Sequence, residues 1–135
     1  MTFVDAGPFI ARHFAPDQHH DAAVAYWNRL AARRRLLVTS NFVLDEAATL
    51  LARKAGYEFA AERARRWFHS PSLTILRPDA HDEDAALEWF TRFADQGVSF
   101  TDCISFALMT RVGIRSAFTF DRHFRFAGFE PEPRT

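Results

Sequence analysis

Four short apolar runs punctuate this chain: FVD at residues 3–5, LLVTS from Leu36, LTILR from Leu73 and AFTF from Ala117. Between them the apolar residues recur at three- and four-residue spacing, as Ala23, Tyr26, Trp27 and Leu30 do, which is the periodicity of a helix with one buried face. Strands joined through helices are parallel strands, because a parallel connection needs a covering crossover and the sheet it makes is buried on both faces. The pattern predicts an α/β fold: a three-layer α/β/α sandwich around a mostly parallel sheet of four to five strands.

Turn and cap residues set the expected element ends. Gly7 and Pro8 turn the chain from the first strand into a brief helix, and a second helix is expected over Asp17 to Arg35. Ser40 or Asn41 can cap a helix through FVLDEAATLLARK, which Gly56 ends. Further helices are expected over Tyr57 to His69, over His81 to Asp95 with Leu87, Phe90 and Phe93 on one side, and from about Thr101 to Gly113. The AFTF strand is expected to run to Asp121, and the tail EPEPRT to fray. The expectation is one domain over residues 1–130, followed by a loose segment 131–135.

The 135 residues suffice for a core without disulfides, and 15 phenylalanines within a 48% apolar composition exclude disorder over most of the length. Cys103, the one cysteine, lies in the apolar segment CISFALM and reads as a small buried hydrophobe. No run approaches the roughly 18 apolar residues of a membrane span, so no membrane association and a cytoplasmic location are expected. Seventeen basic residues balance seventeen acidic ones, so a surface for a polyanion has to be local. All the basic residues but Lys54 are arginine, whose planar fork suits phosphate. The candidates are Arg33 to Arg35, Arg111, Arg115 and, just beyond the last strand, Arg122 and Arg125.

In parallel sheets ligands bind beyond the carboxyl ends of the strands, which directs attention to particular acids. Asp5 and Asp121 each close an apolar strand, and Asp102 begins a helix whose preceding loop can reach the same edge. Glu46 shares a helix face with Val43 and Leu50 and is drawn inward. Buried carboxylates need a partner or a cation, and acids alone, without thiolates, suit Mg²⁺ or Mn²⁺. Capping, dipole and ion-pair roles for the same four acids remain open on these grounds. Thr119 can hydrogen-bond one of them across the strand face. The histidines show no i,i+4 zinc pair, so a histidine-based metal site is not expected. Trp27, Trp67 and Trp89 fall in apolar stripes and read as core or interface.

In order and context these segments resemble the PIN-domain family, and within it the VapC-type toxins of toxin–antitoxin modules. FVDAGPFI is similar to the family's first motif, SNFVLDEAATLL to the second, SFTDCISFALMTRVG to the third and AFTFDRHF to the fourth. The resemblance assigns metal binding to Asp5, Glu46, Asp102 and Asp121, with Glu46 as ligand or water-positioning base. Gly7 departs from it, since many members carry a serine, threonine or asparagine there. The resemblance implies a Mg²⁺- or Mn²⁺-dependent endoribonuclease that leaves a 5′-phosphate and a 3′-hydroxyl. It also implies an RNA substrate, a cognate antitoxin and a homodimer. The alternatives are a PIN-fold module that binds RNA or protein with little catalysis, or another Mg²⁺-dependent phosphoesterase. An aspartyl-nucleophile enzyme of the second kind wants an acid where Gly7 stands.

Overall fold

Across residues 1–134, which the computed structural model describes, five strands pair in one all-parallel sheet. They are β1 (Thr2–Val4), β2 (Leu37–Ser40), β3 (Leu73–Leu76), β4 (Ser116–Phe118) and β5 (Glu130–Glu132), in the order β3-β2-β1-β4-β5. The helices are α1 (Ala6–His13), α2 (His20–Ala32), α3 (Asn41–Ala55), α4 (Tyr57–Phe68), α5 (Ala80–Arg92), α6 (Phe100–Val112) and the single turn α7 (His123–Phe126).

The strand order decides where a site can form. From β1 the chain steps one way to β2 and β3, then crosses back to β4 and β5. Right-handed crossovers therefore put α1–α4 on one face and α5–α7 on the other. Helix pairs α1–α2, α3–α4 and α5–α6 pack together accordingly. The direction reverses between β1 and β4, and that switch point leaves a crevice at the carboxyl ends of these two strands. The acids after them, Asp5 and Asp121, flank it.

Local chemistry fixes the helix ends much as the sequence implies. Ser40 caps α3 by accepting the Val43 N–H at 3.1 Å, and Gly56 ends it at φ 101°, where a side chain would be strained. In α6 every residue from Asp102 to Met109 is buried, so the helix has no solvent face until its last turn, and Cys103 is part of that core. Trp27 and Trp67 are buried, Trp27 donating its indole N–H to the Pro8 carbonyl at 3.0 Å.

Three expectations are corrected. The tail does not fray from residue 131: Glu130–Glu132 form β5, with the Glu130 N–H donating to the Arg115 carbonyl and the Glu132 carbonyl accepting from Thr119 N–H. Pro131 sits between those bonds on an edge strand, where its missing N–H costs no ladder bond. The Tyr26 hydroxyl also donates to Glu132. Thr135 lies outside the described residues. Strand β4 ends at Phe118 rather than running to Asp121, because the Thr119 hydroxyl draws the Asp121 N–H into a turn. Finally, Leu87 and Phe90 are exposed; α5 buries Asp82, Ala86 and, past its end, Phe93. Asp82 is accommodated by an ion pair, which an apolar pattern does not reveal.

Candidate metal centre

Asp5 follows β1 directly, and its own N–H donates to the Phe118 carbonyl at 3.0 Å, which pins it against β4. Its carboxylate makes no cap bond to α1. Instead it accepts the Thr119 hydroxyl at 2.8 Å, while the same Thr119 oxygen accepts the Asp121 N–H at 3.0 Å. One threonine thus ties the two strand-end acids together. Asp102 arrives from the opposite face of the sheet in the first turn of α6, where Ser99 caps its N–H at 3.1 Å. Glu46 projects from α3, half-buried. The structure brings all four acids to one cleft of about 590 Å³, together with Phe120, Arg122 and His123.

The electrostatics of this cleft are those of unpaired charge. Asp5 and Asp102 are each 5% exposed. Among the described residues no lysine or arginine lies within ion-pair distance of Asp5, Glu46 or Asp102. Burial raises the Asp102 carboxyl well above the usual range, helped by the charges of Asp5, Asp121 and Glu46. Burial likewise raises Asp5, with Glu46 and Asp121 adding to it and the Thr119 bond opposing it. Glu46 is raised by burial first and then by Asp121.

Asp82 supplies an internal control. It is as buried as Asp5, yet it accepts two Arg111 N–H groups at 2.7 and 3.1 Å and shares a reciprocal cap with Asp79. Its carboxyl is held below the usual range, chiefly by the Arg111 hydrogen bond. The chain gives its buried structural acid an arginine and, among the described residues, gives Asp5, Glu46 and Asp102 none. Desolvating an ionised carboxylate costs several kcal/mol, so crowding three or four together is tolerable only with bound protons or a bound cation.

The donor set fits a divalent cation. Ligand atoms of Asp102, Asp121 and His123 lie within 4.8 Å of one another, and Asp5 and Glu46 open onto the same space. His123, which no paired-histidine pattern in the sequence singles out, joins them. Its N–H donates to Asp121 Oδ1 at 2.8 Å and its Nδ1 lies 2.9 Å from the same oxygen. The available signal was the Asp-x-His spacing at the turn into α7, which a search for paired histidines does not catch.

The arginines divide. Arg122 lines the cleft, whereas Arg125 is exposed on α7 and does not. Arg111 is engaged by Asp82, and Arg115 lies 3.7 Å from Glu130. Arg33 to Arg35 precede β2, at the amino end of the sheet and so away from the acids. There Arg34 and Arg35 border a separate cleft of about 580 Å³ floored by Phe9, Trp27 and Trp67.

Among known proteins, the family model of the PIN domain matches residues 2–130. The 23S rRNA-specific endonuclease VapC20 of Mycobacterium tuberculosis is 37% identical over 129 residues, covering 96% of this chain and 95% of the relative. A VapC ribonuclease of Archaeoglobus fulgidus is 32% identical over 107 residues, covering 77% of this chain and 67% of that protein. The crystal structure of M. tuberculosis VapC20, described as a sarcin–ricin loop cleaving toxin, superposes with a TM-score of 0.85 at 36% identity, covering 96% of both chains.

Proposed function

This chain belongs to the PIN domain family, with VapC-type ribonuclease toxins among its relatives, and from that premise we propose that it is a divalent-metal-dependent endoribonuclease toxin acting on 23S ribosomal RNA. The observation that carries the metal dependence is the contrast between Asp82, which has its arginine, and Asp5, Glu46 and Asp102, which have no cationic side chain within ion-pair distance among the described residues.

Asp5, Asp102 and Asp121 would hold Mg²⁺ or Mn²⁺, with Thr119 fixing two of the three. The cation supplies Lewis acidity toward the phosphodiester and lowers the pKa of water beside it. The protein's own groups do the rest. Glu46 opens onto the same cleft from a helix of its own, and it orients the attacking water and accepts its proton. Arg122 lines the cleft, is exposed and has no acidic partner among the described residues, and it grips a neighbouring phosphate and sets the RNA in register. Arg125, one turn further on, contacts the backbone beyond the cleft. In-line attack on phosphorus breaks the bond to the 3′-oxygen and leaves a 5′-phosphate and a 3′-hydroxyl.

The substrate rests on the likeness to VapC20, named for 23S rRNA and the sarcin–ricin loop. The same likeness to toxins supports an antitoxin partner, and the exposed Leu87, Phe90 and Phe126 suit a homodimer. A ribosomal substrate puts the protein in the cytoplasm; no helix is long and apolar enough to cross a membrane among the described residues.

The test is to incubate the antitoxin-free protein with intact ribosomes and with an isolated sarcin–ricin hairpin, then map the ends by primer extension. Metal-dependent cutting within that loop is the expected outcome. Cutting confined to other RNAs would overturn the substrate, and an absence of cutting on every RNA offered would overturn the enzyme.

A further inference from the structure

We propose that His123 is a direct ligand of the cation, so that the centre is a mixed nitrogen–oxygen site that favours Mn²⁺ over Mg²⁺. This deepens the metal reading above and depends on it. Three observations converge on the imidazole. A ring nitrogen of His123 lies with oxygens of Asp102 and Asp121 within 4.8 Å of one another, close to the separation of two ligands that share one ion at about 2.0–2.3 Å each. Its Nδ1 is buried and has no hydrogen-bond partner among the described residues: it lies 2.9 Å from Asp121 Oδ1, but the geometry is not that of a hydrogen bond. Buried polar nitrogens are ordinarily satisfied, and an unsatisfied one facing carboxylates is satisfied by a cation they share. The ring is also fixed in place. Its backbone N–H is bonded to Asp121, and Phe126 packs beside it with ring centroids 6.2 Å apart.

Nitrogen in the donor set has a chemical consequence. Mg²⁺ demands oxygen and keeps its waters, whereas Mn²⁺ accepts an imidazole alongside carboxylates. The centre should therefore distinguish two ions that a site of carboxylates alone would bind more evenly.

The deciding experiment is electron spin-echo spectroscopy of Mn²⁺ on the full-length protein, prepared with ordinary and with ¹⁵N-labelled histidine, beside calorimetric titration with Mn²⁺ and Mg²⁺. The expected result is a directly coordinated histidine nitrogen in wild type, changed by the label and lost in His123→Phe and in His123→Asn. The same variants lose about tenfold or more in Mn²⁺ affinity and less in Mg²⁺ affinity. His123→Asn provides a second readout should the phenylalanine variant fail to fold. Asp102→Asn separates the two levels of the argument. If wild type binds Mn²⁺ no better than Asp102→Asn, the metal reading fails and the ligand assignment with it. If wild type binds Mn²⁺ through Asp102 without histidine coupling, the ligand assignment alone fails.

Discussion

Thr119 holds two acids with one hydroxyl, donating its O–H to the Asp5 carboxylate and accepting the Asp121 backbone N–H. Thr119→Val keeps the shape and removes both bonds. It is expected to lower metal affinity and cleavage by about 10–100-fold while circular dichroism stays native, because groups that orient ligands typically carry that much. Unchanged metal binding would contradict this role. Asp5 and Asp102 carry a second prediction, whose sign follows from their raised values. An acid whose folded value exceeds its unfolded one stabilises only while the folded protein keeps the extra proton, so metal-free stability falls as pH rises above the ordinary carboxylate range. Bound metal removes the repulsion. The gap in Tm between metal-loaded and metal-free protein should widen between about pH 5 and about pH 8, and a constant gap would refute the argument. At this scale the four acids were legible because each stands in an apolar context with a strand or helix to aim it. His123 was not, since a histidine beside a strand-end aspartate is ordinary until the turn into α7 folds it back.

Helices α5 and α6 show what a periodicity argument misses at the level of elements. Leu87, Phe90 and Phe93 look like a buried stripe, yet α5 buries Asp82, because the Arg111 fork from α6 makes a carboxylate acceptable inside. Asp82→Ala removes the ion pair and the Asp82 side-chain half of the capping box, leaving the Asp79 cap in place, and is expected to cost about 2–4 kcal/mol in urea unfolding, at or below the usual figure for a buried pair because Arg111 is half in solvent. Ser99→Ala tests the entry to α6. It is expected to cost about 1 kcal/mol and to weaken metal binding through Asp102, the residue whose N–H it caps. Strands β1 to β4 were readable from apolar runs. Strand β5 was hidden because its EPE sequence lacks apolar character, and only its place on the sheet edge makes a proline there harmless.

For the molecule as a whole, topology does what no single motif could. The reversal of strand order between β1 and β4 leaves a crevice. Two strand ends deliver Asp5 and Asp121 to it, α3 delivers Glu46 from one face of the sheet and α6 delivers Asp102 from the other. The alternation of strands and helices foretold such a crevice without saying which strands would border it. For a chain of zero formal charge the proposed RNA contact at this edge requires a cation to offset the acids, with Arg122 lining the same cleft. The central claim is that these carboxylates hold a metal for phosphodiester hydrolysis. Its most direct test is cleavage of 23S rRNA by antitoxin-free protein with Mg²⁺, with Mn²⁺ and with EDTA, for wild type, Asp5→Asn and Asp102→Asn. Wild type is expected to cut only with metal, and both folded variants to lose at least about a thousandfold. Cutting that survives EDTA, or that either asparagine variant retains at the wild-type rate, would contradict it.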